Sequence, residues 1–156
     1  SPSSIENVAQ AFINNDCEAL YADLVYTDER LGRTVRTWTS KPFTDQLFLK
    51  GWMPAHPTFY AKKELFDKYG YYNTSFTISA DYELMLRFLH KNKVNVFYLA
   101  ETIVKLRTGG VSNSSLKNRL NANLEDRKAW KLNNIKPGWL TLIRKPLSKL
   151  SQFFKG

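Results

Sequence analysis

Two side chains are of a type and placement that could do acid–base chemistry. Asp81, in Ser79-Ala80-Asp81-Tyr82-Glu83, falls in the first turn of an expected helix. There the free N–H groups and the helix dipole hold a carboxylate in place and keep it ionised. Such a group can take a proton from a substrate hydroxyl, although an acidic residue that only helps the helix to start would read the same way. His56 sits between Pro54 and Pro57, so its imidazole is ordered at little entropic cost. It suits hydrogen bonding to a ligand phosphate or hydroxyl, or equally to the backbone of its own loop. Arg107-Thr108-Gly109-Gly110-Val111-Ser112 joins the Arg107 cation to a flexible Gly109-Gly110 backbone that can approach an anion closely; a strand-ending turn has the same composition. Asp23 and Asp28 flank a strand end where paired carboxylates could bind a divalent ion, but a polar strand face and a hairpin turn account for them as well. His90, at the end of an exposed helix, is expected to be solvated, and the two histidines lack metal-ligand spacing. No H-E-x-x-H, Walker or nucleophile-elbow motif occurs, so a catalytic triad has no support.

The elements that must position these groups follow from local patterning. Ser3-x-x-Glu6 reads as a capping box, with Ile5, Val8, Ala9 and Phe12 at helical spacing, which predicts a helix over about 4–14. Ala19–Tyr26 predicts a strand, Thr27–Arg30 a turn and Thr34–Trp38 its hairpin partner. A short helical stretch is expected from Pro42 through Phe48, ended by Gly51, and residues 52–57 are expected to be extended and rigid because the prolines forbid helix. Thr58–Ala61 predicts a strand and Lys62–Tyr69 a helix closed by Gly70. Ser79 is expected to cap a helix whose apolar face is Leu84, Met85, Phe88 and Leu89. Val94–Leu99 and Thr102–Arg107 read as two strands parted by Ala100-Glu101, and Leu116, Leu120 and Leu124 open a further helix. Alternating strands and helices with one hairpin predict an α/β domain with a mixed sheet, residues 1–115, followed by a basic helical tail, 116–156.

Composition bounds the function classes. The 156 residues, 43% hydrophobic and 24% charged, fit one globular domain and exclude disorder, collagen and coiled coil. Aromatic residues make up 14%, which means either a large core or surfaces that stack on flat ligands. The one cysteine, Cys17, excludes an internal disulfide and any cysteine-based zinc cluster. With no apolar run near 18 residues and no charged-then-apolar leader, the chain is expected to be cytoplasmic, either soluble or peripheral on the inner face of the cell membrane. Net charge is +9, and residues 117–156 carry ten of the basic side chains against only Glu125 and Asp126. A neutral body with a basic tail suits an anionic membrane surface, which residues 137–156 could meet through Trp139, Ile143, Leu147, Leu150 and Phe154 with Arg144, Lys145 and Lys149 between them.

Taken in order, ALYADLVYTDE, GWMPAHPTFYAKKELFDKYGYYNTSF, ISADYELMLRFL and VFYLAETIVKLRTGGVSN resemble the C-terminal half of the catalytic domain of bacterial family-2 glycosyltransferases, over residues 5 to 113. The nearest likeness is to enzymes that build capsular, exopolysaccharide or O-antigen chains. The resemblance implies the C-terminal part of a GT-A fold and inverting transfer from a nucleotide-sugar donor to a hydroxyl of a saccharide or lipid-linked saccharide. Carried over by position, Asp81 is the base that deprotonates the acceptor, and His56 and the Arg107–Ser112 loop with Gly109 and Gly110 assist near the cleft. Trp52 could stack on a sugar face or serve as a core tryptophan. The family's nucleotide-binding units and its D-x-D carboxylates, which hold Mg²⁺ or Mn²⁺, are not in these residues. The chain is therefore expected to be a fragment, inactive alone, whose exposed sheet edge could pair with a second copy.

Two other classes compete. A basic, aromatic-rich nucleic-acid-binding module would account for the +9 charge, yet no such motif occurs and the charge lies apart from the aromatics, so no specific nucleic-acid partner is expected. A non-catalytic carbohydrate-binding domain is the third reading.

Overall fold

The computed structural model describes residues 3–108 and 116–136, the side chains of 116–119 excepted. Gly109 and Gly110 of the predicted anion loop, and residues 137–156 of the basic segment, lie outside the described residues. The chain is α/β, with an open mixed sheet and flanking helices.

Helix α1 (Ser4–Asn14) leads into β1 (Ala19–Thr27), the strand on which the sheet is organised. Across Asp28–Arg33 the chain reverses into β2 (Thr34–Trp38), antiparallel to β1 as the hairpin pattern requires. Asp28 Oδ1 stabilises that turn by accepting the N–H groups of Gly32 (2.9 Å) and Arg33 (3.3 Å). Strand β3 (Tyr60–Ala61) pairs antiparallel with the start of β1, and β4 (Val96–Arg107) runs parallel along its other side. Among the described strands none pairs with the outer edge of β4.

Because β1 is covered on both faces, its burial is nearly continuous. Alternate side chains serve two cores. Leu20 and Ala22 join Val8 and Ala11 of α1 and Ile103 of β4, while Ala19 faces the larger cluster on the other side. That larger cluster is built on helix α3 (Lys63–Tyr69), α4 (Ala80–Met85) and α5 (Leu116–Leu132). Leu84, Met85, Phe88 and Leu89, the predicted apolar face, are all fully buried in it. So are Ala129 and Trp130 of α5, which makes the first part of the basic 116–156 segment a structural element of the core.

Several local expectations are corrected. The two β-rich runs form one strand, β4, because both pair with the same strand in the same direction; Ala100-Glu101 marks a slip in register and not a break. The strand expected over Thr58–Ala61 is only Tyr60–Ala61. Before it, His56–Thr58 forms a single 3₁₀ turn with Pro57 near its start, where a missing N–H costs nothing. The stretch from Pro42 becomes helical only at α2 (Gln46–Leu49), since the Tyr21 hydroxyl donates to the Lys41 carbonyl (2.5 Å) and holds that segment on the sheet. The capping box is not made: Ser3 is itself helical (φ −75°, ψ −7°) and its side chain forms no cap hydrogen bond. The helix begun by α4 continues as a wider π turn over Leu86–Lys91. There His90, expected to be solvated, is half-buried against Phe48 and Trp130, its Nδ1 3.1 Å from the Asp45 carbonyl. Burial first, and then the Lys93 charge, lowers its pKa. Among the described residues no helix is long and apolar enough to cross a membrane.

Candidate active site

Two of the residues chosen from sequence, twenty-five positions apart, come together. His56 Nδ1 lies 3.8 Å from Asp81 Oδ2, too far for a hydrogen bond. Both side chains are 35% exposed, so the pair opens to solvent without being freely hydrated.

Each member is placed by a separate element. The 3₁₀ turn carrying His56 is bonded to the middle of β1: Thr58 Oγ1 donates to the Ala22 carbonyl (2.9 Å) and accepts the Ala22 N–H (3.0 Å). Asp81 occupies the first turn of α4, where its Oδ1 accepts the Tyr82 N–H at 2.7 Å and leaves Oδ2 directed to the imidazole. The Ser79 hydroxyl does not cap this helix, contrary to expectation; it donates to the Ala122 carbonyl (3.3 Å). The anchor comes from α5. Glu125 accepts the N–H groups of Thr77 (2.9 Å), Ile78 (2.8 Å) and Ser79 (2.8 Å), fixing the entry to α4 from outside the helix.

Burial acts to raise the Glu125 pKa, but those three N–H groups and Lys128 outweigh it and hold the carboxyl below its ordinary 4.5. Because the folded value lies below the unfolded one, the charge adds stability that is fully present above about pH 4.5 and is lost as pH falls through the folded value. Glu125→Ala is therefore expected to cost about 2 kcal/mol near neutral pH, as the loss of hydrogen bonds to a charged acceptor does, and less in acid. Urea melts at neutral and acid pH check this, and an equal cost at both would sink the charged-anchor account.

Tyr72, which sequence reasoning passed over, completes the group. Its hydroxyl is 3.0 Å from His56 Nε2 and the rings meet edge-on at 6.1 Å. Burial, and then the Asp81 charge, raises the Tyr72 pKa, so near neutral pH the phenol keeps its proton. The direction of the His56–Tyr72 hydrogen bond follows the imidazole tautomer, since either ring nitrogen can donate or accept. Arg87 fixes the loop before Tyr72. Its guanidinium donates to the carbonyls of Tyr69, Gly70 (2.6 Å) and Tyr71 (2.8 Å) and forks onto Glu83 at 3.0 Å through two nitrogens. Asn133, just past α5, donates to the same Glu83 carboxylate at 3.0 Å. Gly70 has φ +91°, and a Cβ there would stand 3.3 Å from Arg87 Nη1, so glycine is required. The Glu83-to-Arg87 spacing of four was a readable helix-pair signal; Tyr72, in a loop with two adjacent tyrosines, carried none.

The remaining candidates make other contacts. Trp52 is half-buried, edge-on to Tyr21 at 6.1 Å, with Lys41 Nζ 5.5 Å from its ring. Tyr21 stacks on Tyr98 in turn. Asp23 is engaged structurally, accepting the Ser40 N–H (2.7 Å) and the Tyr98 hydroxyl (2.9 Å). Burial, then the bond to Asp23 and its charge, pushes the Tyr98 pKa up to about 12. Arg107 is exposed at the end of β4 opposite Thr27, five residues along β1 from Ala22 and so on the order of 16 Å from the strand position that anchors the His56 turn. Among the described residues no group of three or more His, Cys, Asp or Glu is arranged to hold a metal ion.

The arrangement offers one accessible carboxylate, oriented by a helix start, beside an imidazole and a neutral phenol. Comparison of the chain with protein-family models, with curated proteins and with solved structures gives no match.

Proposed function

We infer that the chain is the acceptor-side part of an inverting GT-A glycosyltransferase, with Asp81 as the general base. The observation that carries this reading is the Asp81 carboxylate: one oxygen is fixed by the first turn of α4, the other lies beside His56, and the side chain is 35% exposed. An acceptor hydroxyl hydrogen-bonded to Oδ2 gives up its proton as its oxygen attacks the anomeric carbon of a nucleotide sugar. The bond from that carbon to the diphosphate breaks, and its electron pair leaves with the diphosphate. His56 and Tyr72 supply a polar edge that can orient the acceptor. The nucleotide site and the divalent cation belong, on this reading, to residues outside this chain, and the acceptor is a saccharide or lipid-linked saccharide of surface polysaccharide synthesis.

The test is release of nucleotide from a panel of UDP- and GDP-sugars, with Mg²⁺ or Mn²⁺ present, by the longer protein the reading requires. Metal-dependent turnover supports it; no turnover with any donor and a range of saccharide acceptors would overturn it. Tyr72→Phe is expected to lower kcat/KM by roughly three- to tenfold, the worth of one hydrogen bond of about 0.5–1.5 kcal/mol. A loss as large as that from changing Asp81 would make Tyr72 the group that handles the proton.

A further inference from the structure

We propose that the outer face of α5 rests on an anionic lipid bilayer. The helix buries Ala129 and Trp130 as an ordinary surface helix would, but its outer face is not uniformly polar. Its carboxylates turn toward the domain, Asp126 being 2% exposed and Glu125 bonded to the backbone of residues 77–79, while Leu120, Leu124 and Leu132 point outward. Leu120, Leu124 and Leu132 are 66%, 64% and 50% exposed. Leu120, Leu124, Arg127 and Lys131 recur at spacings of four, three and four, which places them on one face. Arg127 and Lys131 are exposed there as well.

Folding thus removes both negative charges of the 117–156 segment from the outer face of α5 and leaves leucines interleaved with cations. That is the pattern of a helix lying in a membrane interface, with apolar side chains entering the acyl boundary and long basic ones reaching back to lipid phosphates. A nucleic acid would reward the cations but not leucines among them. A neutral protein surface would reward the leucines alone. The segment that follows, 137–156, carries the same two kinds of residue in its sequence. This inference is independent of the transferase reading, because its test involves no sugar.

The experiment is co-sedimentation of the full chain with phosphatidylglycerol–phosphatidylcholine vesicles at physiological salt, compared with phosphatidylcholine alone. The chain is expected to bind only the anionic vesicles. Arg127→Gln with Lys131→Gln should weaken binding about 25-fold, at roughly fivefold per cation near such a surface. Leu120→Ser with Leu124→Ser should weaken it at least tenfold, as apolar side chains lose their burial. Lys62→Gln with Lys105→Gln removes the same charge from exposed positions outside α5 and should change binding less than about threefold. All the substituted side chains are solvent-exposed, and unchanged thermal melts confirm that each variant is folded. The proposal is overturned if the leucine pair leaves vesicle binding unchanged, if Lys62 and Lys105 matter as much as Arg127 and Lys131, or if duplex DNA binds more tightly than vesicles. It is equally overturned if the leucine substitutions only dissolve a dimer.

Discussion

Asp81→Asn, made in the longer protein that the transferase reading requires, is expected to lower kcat by about a hundredfold or more, the usual consequence of losing a general base. The substitution isolates basicity from structure. Asn keeps an oxygen where Oδ1 accepts the Tyr82 N–H, so the start of α4 is preserved and only the group facing His56 changes from carboxylate to amide. Donor and acceptor affinity should therefore stay within about threefold, with the loss falling on kcat and not on KM. Asp81→Glu retains a base displaced by one methylene and should fall between wild type and Asn. Steady-state turnover of all three proteins with one donor distinguishes these cases. Equal rates for wild type and Asp81→Asn would reduce Asp81 to a helix-start residue.

Trp130→Ala is expected to have the largest effect on stability. Trp130 is fully buried among Tyr82, His90 and their neighbours, and its indole N–H donates to the Tyr82 hydroxyl at 2.8 Å. Removing a buried indole costs about 3–5 kcal/mol through lost transfer energy and the cavity left behind. The Tyr82 hydroxyl would lose that donor in a setting where burial already raises its pKa strongly. For a chain of this length the melting temperature should fall on the order of 10 °C. Trp130→Phe fills most of the space without the N–H and should cost about 1–2 kcal/mol. Thermal melts followed by circular dichroism test both. A shift of less than about 2 °C for Trp130→Ala would mean that α5 does not share the core of the sheet domain.

These two experiments are linked by the architecture. The same helix that inserts Trp130 presents Glu125 to the backbone ahead of Asp81 and leads to Asn133, which holds Glu83. Losing α5 would loosen the entry to α4 and the Arg87 grip on the loop that carries Tyr72. A severe Trp130 variant should thus lower turnover as well, whereas Asp81→Asn should leave the melt nearly unchanged.

By itself the sequence determined what depends on neighbours along the chain. The period of apolar residues marks α1 and the buried face of α4, β-rich runs with turn residues between them mark the β1–β2 hairpin, and Gly70 ends α3. Those features also placed Asp81 at a helix start and His56 in a proline-framed loop, which folds as a 3₁₀ turn and not as the extended segment expected. Tertiary packing alone decided the rest. It joined the two runs of β4 into one strand on β1, turned His90 inward, and replaced the expected Ser79 cap with a carboxylate from forty-six residues away. It also brought His56, Tyr72 and Asp81 within reach of one another, and faced the carboxylates of α5 inward with Leu120, Leu124 and Leu132 outward. The physical reason is that turns and periodicities are set by local backbone preferences. Which polar groups find each other is set by how α3, α4 and α5 close over the sheet, where every buried donor and acceptor must be satisfied by whatever packing brings near.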